Sequence, residues 1–214
     1  MLRKISRIVL GILLFLLLMA AGSIGVIKYN QYQNITTLIE EALDGRLIAH
    51  KANHQGKLAS IFNSGIRSFE LDLMFRQQGD SGYFEVGHDD KEAKGHTFAS
   101  YLESLGDYTI KKVWIDVKNI NDDNASAVLA RLAFLDENYD IKPILILESS
   151  TTSKRFKDFS RAGYHTSYYL PTTKIHGLLA QNDAHAIQKE VVRIQTLVHE
   201  QQLAAVSFTA SLYP

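Results

Sequence analysis

The sequence predicts an α/β fold built on a parallel sheet, and three observations carry that expectation. From residue 46 onward, short strand-like runs alternate with helical patterns, the signature of successive βα units. Several runs are nearly continuous in Val, Ile, Leu, Phe and Trp, as strands covered on both faces are. The third observation is chemical. His50, the pair Glu70 and Asp72, and His88 fall at the C-terminal ends of successive runs. In a barrel or an open α/β sheet those ends share one rim, where active sites are built.

The chain begins with basic residues, Arg3, Lys4 and Arg7, within residues 1–7. An uncharged run over 8–27 follows, and ~20 apolar residues span the ~30 Å of a bilayer core. Basic residues ahead of such a run predict a signal anchor with its N-terminus in the cytoplasm and the body on the extracytoplasmic side of the cell membrane. The rival reading is a cleaved signal peptide, for which Ala20-Ala21-Gly22-Ser23 offers small residues. Residues 28–45 read as a polar linker and covering helix, with Leu38, Ile39, Ala42 and Leu43 on one face. The domain proper is then 46–214.

Within it the strand-like runs are 46–50, 68–75, 83–88, 112–118, 143–149, 165–170 and 204–211. Helical spacing covers 57–63, stopping at Gly65, then 97–105, 124–135, and 153–162, closed by Gly163. The longest pattern, 184–203, has the stripe Ile187, Val191, Ile194 and Val198. Trp114, opening an aliphatic strand, is assigned to the core. Tyr164, Tyr168 and Tyr169 either pack there or line a headgroup pocket. The chain ends on a strand and exit loop after about six units, whereas a complete eight-unit barrel typically takes ~250 residues. That leaves an open sheet edge through which copies can associate.

Composition removes several function classes. With no cysteine, disulfides, thiolate chemistry and cysteine-ligated zinc are excluded. Net charge is zero and the basic residues are scattered, so no nucleic-acid footprint is present.

Alternate residues on a strand point the same way, so Glu70 and Asp72 project together and can share one ion. Oxygen ligands favour Ca²⁺ or Mg²⁺. Two imidazoles facing such a site supply acid–base chemistry on a phosphate ester. Glu148 ends its strand and offers a further ligand or a substrate contact, Asn53 offers another polar group, and Asp89 and Asp90 are expected to cap the following loop.

Taken together, Ile48-Ala49-His50-Lys51, Phe69-Glu70-Leu71-Asp72-Leu73, Gly87-His88-Asp89-Asp90 and Trp114-Ile115-Asp116-Val117-Lys118 resemble the glycerophosphodiester phosphodiesterases. More broadly they resemble the phospholipase-C-like phosphodiesterase superfamily, including its menorin-type branch. The resemblance covers roughly half the chain. It implies a TIM-barrel-like fold, here incomplete at the C-terminus. It also implies His50 and His88 as catalytic residues, Glu70, Asp72 and Asp116 as metal ligands, and Lys118 near the phosphate. Three departures stand out. Lys51 occupies a position usually held by Arg, which loses the bidentate fork. Asp116 replaces a glutamate, and Ala52-Asn53-His54-Gln55-Gly56 replaces the usual Gly-rich loop.

The expected function is a membrane-anchored, metal-dependent phosphoric diester hydrolase. It would act on glycerophosphodiesters, phospholipid headgroups or related envelope compounds, with Lys51, Lys118, Asn53 and Glu148 contacting substrate. The alternative is a truncated or degenerate barrel that binds a ligand or partner without turnover, or an interrupted reading frame.

Overall fold

The computed structural model describes residues 28–29, 47–79, 81–106, 108–149 and 153–212. Residues from Leu47 onward form a compact unit separate from Met1–Arg46. The expected basic segment 1–7 and anchor 8–27 lie outside the described residues. So does the linker 28–45, apart from Lys28 and Tyr29, which are helical and exposed. Among the described residues, no helix is long and apolar enough to cross a membrane.

The compact unit is a six-stranded sheet with helices between its strands. Its elements are α1 (Gln55–Asn63), β1 (Ser68–Gln78), β2 (Ser81–Val86), α2 (Phe98–Ser104), β3 (Lys112–Val117), α3 (Ala125–Tyr139), β4 (Leu145–Ser149), α4 (Phe156–Arg161), β5 (His165–Tyr169), α5 (Thr172–Gln181), α6 (Ala184–Gln201) and β6 (Ala205–Ser207). A 3₁₀ turn, Ala210–Leu212, follows β6. The strand order is β2-β1-β3-β4-β5-β6. All neighbours are parallel except β1 and β2.

Alternation along the strands sorts the two faces. Phe69, Leu71 and Leu73 of β1, Val113, Ile115 and Val117 of β3, and Leu145 and Leu147 of β4 are essentially inaccessible. They pack in one core with Leu58, Ile61 and Phe62 of α1, Phe98 and Leu102 of α2, Leu132 of α3 and Phe159 of α4. The opposite face carries Glu70, Asp72, Trp114, Asp116 and Glu148. Trp114 therefore lies half-buried on the polar face, not in the core as its aliphatic neighbours suggested. Tyr164 and Tyr168 do pack as buried residues.

The helices begin and end for local reasons. Thr97 Oγ1 accepts from Ser100 N at 3.1 Å and caps α2, and Asp183 Oδ1 accepts from Ala186 N at 3.0 Å and caps α6. Gly65 (φ 83) and Gly163 (φ 89) take the left-handed conformation just beyond α1 and α4, as their helix-stop positions implied.

Four expectations are corrected. Run 83–88 is antiparallel to β1, with Gln78 paired to Ser81 at the hairpin end. Run 46–50 is reduced to a single parallel bridge, Ala49 to Phe69, since Lys51 turns away at φ 54. Run 204–211 contributes only three strand residues before the 3₁₀ turn. On α6, Val191 faces outward, and buried Glu190 lies between Lys174 Nζ and the Arg193 guanidinium instead. Helix α5 went unread because it buries no residue, although Pro171 at its start and the spacing of Ile175, Leu178 and Leu179 are visible.

Candidate functional site

Strand register builds the centre. Asp72 on β1 pairs with Asp116 on β3, which pairs with Glu148 on β4. Glu70 lies two residues before Asp72, on the same face. One carboxylate oxygen from each of Glu70, Asp72 and Asp116 lies within 4.8 Å of the others. The three acids expected to bind a metal are thus brought together, largely shielded from water.

Lys118 is their counter-charge. Its Nζ donates to Asp72 Oδ1 at 2.6 Å and to Asp116 Oδ2. Burial and the two carboxylates compete at this ammonium, and the carboxylates win, raising its pKa. Burial also opposes ionisation of Asp72, yet hydrogen bonds from Lys118 and Asn53 outweigh it and hold this carboxyl below its usual range. At Glu70, burial dominates and the Asp72 charge adds to it, so its pKa is raised. Asp116 is raised as well, burial outweighing Lys118. A pocket with more carboxylates than nearby cations, built wholly of oxygen donors, fits a hard divalent cation.

The first histidine loop is keyed to β1 by its backbone. Ala49 N donates to Ser68 O at 2.9 Å, and Glu70 N donates to Ala49 O at 2.8 Å. The left-handed turn at Lys51 aims its N–H at Glu70 Oε2, and Ala52 N returns to Glu70 O at 2.8 Å. Tyr101 OH, from α2, donates to the carbonyl of fully buried Ala52. Asn53 then grips Asp72 twice: Nδ2 donates to Oδ2 at 2.9 Å, and Oδ1 accepts from Asp72 N at 3.0 Å. Lys57 Nζ, on α1, donates to the carbonyls of His50 and Lys51 at 2.7 and 2.9 Å. His50 itself is 86% exposed, with Nε2 3.8 Å from Glu70 Oε2.

The second histidine arrives by another route. The β1–β2 hairpin runs out past Asp72 and back, and Asn119 extends the β1 ladder by donating to Phe75 O and accepting from Phe75 N, both at 2.8 Å. Gly87 N then donates to Asp72 O at 2.9 Å, which returns the chain to the level of the acids just before His88. His88 is exposed, and its positive form favours the ionised states of both Asp72 and Asp116. As expected, Asp89 caps the next loop: its Oδ1 accepts from Lys91 N and Glu92 N at 2.8 and 3.0 Å. Asp90 does not cap. It pairs with Arg76, which also holds Glu85 across the hairpin.

Two residues escaped the sequence reading. Glu92 accepts from Lys51 Nζ, Asn53 Nδ2 and His88 N, so it joins the two histidine loops. No motif announces it, because its two side-chain partners are 41 and 39 positions away. Ser207, on β6, donates to Glu148 Oε2. Glu148 is buried, and burial plus the Asp116 and Glu70 charges push its carboxyl up to about 7. It stands beside the acid triad without belonging to it.

No family model and no curated protein matches this chain. Its coordinates resemble a phosphodiesterase from Oleispira antarctica, whose structure holds the product sn-glycerol-3-phosphate, at 14% identity and a TM-score of 0.50. That alignment covers 78% of this chain and 76% of the other. The likeness is one of fold. The parallel sheet with its covering helices matches a TIM-barrel-like architecture, the fold that the motif resemblance implied. Looser alignments exist to glycerophosphodiester phosphodiesterases from Parabacteroides distasonis (12% identity, 75% of this chain and 91% of that one, TM-score 0.45) and Agrobacterium tumefaciens (14%, 75% and 95%, 0.43).

Two measurements test this centre. Trp114, the single tryptophan, pairs in register with Glu70 and precedes Asp116 by two residues. Adding Ca²⁺ or Mg²⁺ to the EDTA-treated chain will change its emission saturably, and the double variant Glu70→Gln, Asp116→Asn will abolish the change. Glu148→Gln keeps an acceptor for Ser207 and removes the acid. Because folding raises the Glu148 pKa from 4.5 to about 7, the parent loses stability as pH rises through that window and no further above it. Urea unfolding in EDTA should therefore find the variant more stable at pH 8, by on the order of 2–3 kcal/mol, and equal to the parent near pH 4.5.

Proposed function

We propose that this chain is a metal-dependent phosphoric diester hydrolase acting on glycerophosphodiesters, phospholipid headgroups or related envelope compounds. One observation carries the reading: three carboxylates from β1 and β3 converge within 4.8 Å, with His50 3.8 Å from one of them and the His88 loop tied back to the main-chain carbonyl of Asp72. The glycerol phosphate held by the Oleispira protein of similar fold supports the substrate class.

Glu70, Asp72 and Asp116 would hold a Ca²⁺ or Mg²⁺ ion. When bound, it supplies positive charge to the phosphoryl oxygens as negative charge builds on them. Lys118, standing between Asp72 and Asp116, adds a second positive group on the same side. His50 and His88 flank the acids from separate loops, so one can take a proton from the attacking hydroxyl while the other gives one to the leaving alkoxide. Lys51 and Asn53 lie along the approach to Asp72 and contact the phosphate. Glu148, its carboxyl pushed up to about 7, is partly protonated near neutral pH and so repels the ester less than an ordinary carboxylate would.

The anchor read over residues 8–27 would hold this body at the outer surface of the cell membrane, within reach of lipid headgroups. The edge strand β6 leaves Val206 exposed, and Phe208 beyond it is exposed too, which supports self-association along that edge.

Activity on bis(p-nitrophenyl) phosphate and glycerophosphodiesters should vanish in EDTA and return with Ca²⁺ or Mg²⁺. His50→Ala and His88→Ala should each lower kcat by about 10²–10⁴, the usual range for losing a general acid or base. Activity that survives both EDTA and His50→Ala refutes the mechanism. A folded chain inert with every divalent ion favours the binding barrel instead.

A further inference from the structure

Three hydrogen-bond donors from two loops converge on one exposed carboxylate. Lys51 Nζ lies 3.0 Å from Glu92 Oε1, while His88 N and Asn53 Nδ2 lie 3.2 and 3.5 Å from Oε2. An ammonium, a side-chain amide and a main-chain N–H arranged about two oxygens are the donors an oxyanion requires. They also adjoin the acid centre, because Lys51 N–H donates to Glu70 and Asn53 holds Asp72.

From this we infer that Glu92 is a displaceable plug, filling the phosphate-oxygen position of Lys51 and Asn53 when no substrate is present, and that the His88 N–H is a third donor there. The inference rests on the phosphodiesterase reading for its substrate class, and on geometry alone for the site.

Exposure and backbone support separate a plug from a brace. The Lys51 and Glu92 side chains are 40% and 38% exposed, and exposed pairs are held weakly and are screened by salt. Asp72, which braces the centre, is by contrast nearly inaccessible. The backbone beneath Glu92 is held in place. Asp89 O accepts from Glu92 N and Ala93 N at 3.1 and 2.9 Å, and a Cβ on Gly87 would meet Ala93 N at 2.5 Å and the Glu92 carbonyl carbon at 2.8 Å. The loop therefore packs directly onto Gly87, and only the Glu92 side chain has to rotate. A phosphate would replace one carboxylate with another oxyanion on the same three donors. Selectivity follows from this arrangement: a ligand must supply enough negative charge to displace Glu92 from Lys51, which a neutral polyol cannot do.

The test uses the full chain in detergent with EDTA, so neither the cation nor turnover enters. Glu92→Gln keeps an acceptor for His88 N but loses the charge. Isothermal titration calorimetry with inorganic phosphate should show binding about two- to fivefold tighter than in the parent, the weight of one exposed ion pair. Adding Lys51→Ala to that variant should abolish the gain. Equal or weaker phosphate binding by folded Glu92→Gln overturns the inference. Should the variant not fold, phosphate can be titrated into the ¹⁵N-labelled parent. The His88 amide resonance must then shift with saturation, and an unmoved His88 amide equally overturns it. Tighter phosphate binding in a chain that hydrolyses no ester upholds the subsite and removes only the hydrolase reading. An active enzyme whose phosphate affinity ignores Glu92 does the reverse.

Discussion

The structure turns on the forced proximity of acids across adjacent parallel strands. Register sets Asp72, Asp116 and Glu148 side by side, and a one-residue slip of β3 would turn the apolar set Ile115 and Val117 out of the core. At 4.8 Å, like charges repel by about 3–4 kcal/mol per pair for an effective dielectric near 20. The sheet therefore holds a strain that hydrophobic burial on its other face sustains. Lys118 relieves part of it, since its ammonium touches two of the acids. Burial first, and the neighbouring charges second, raise proton affinity at Glu70, Asp116 and Glu148, and binding a divalent cation would offset the repulsion that remains.

The histidines depend on the same strand. The loop carrying His50 is attached to β1 through Ala49, Ala52 and Asn53, and its last attachment is to Asp72 itself. The hairpin that returns His88 ends on the Asp72 carbonyl. Asp72 is thus at once a charged side chain, a docking point for Asn53 and a backbone acceptor for Gly87. A change there would disturb the acid cluster and both loops together. His50 and His88 remain solvent-facing while their backbones are fixed, which leaves the imidazoles accessible to substrate and free to exchange protons with water.

Much of this was legible in the sequence because it follows from local periodicity. Alternation along β1 puts Glu70 and Asp72 on one face, and the next buried strand brings Asp116 and Lys118 to them. Other features depend on tertiary geometry and were not legible in that way. Trp114 sits in an aliphatic strand, yet falls on the polar face because Asp116, two residues on, does. The reversal of β2 had a signal, a Gly-Asp pair between two strand-like runs, but a parallel reading of the following histidine masked it. Glu92 and Ser207 had no signal, since their roles come from loops and strands that meet only on folding. The two histidines, at Ala49-His50 and Gly87-His88, follow loops that are both hydrogen-bonded to β1, although one of their two strands runs the opposite way. The hairpin returns its residue to the same level that a parallel strand would have reached.

The central claim is that electrostatic strain among Glu70, Asp72 and Asp116 is held by Lys118 and awaits a cation. Thermal unfolding of Lys118→Met, beside the parent, addresses it most directly. In EDTA the variant should melt well below the parent, and millimolar Ca²⁺ or Mg²⁺ should recover much of the difference while also raising the parent's Tm. If removal of the ammonium leaves the Tm in EDTA unchanged, or if neither protein responds to any divalent ion, the acids do not form the strained centre described.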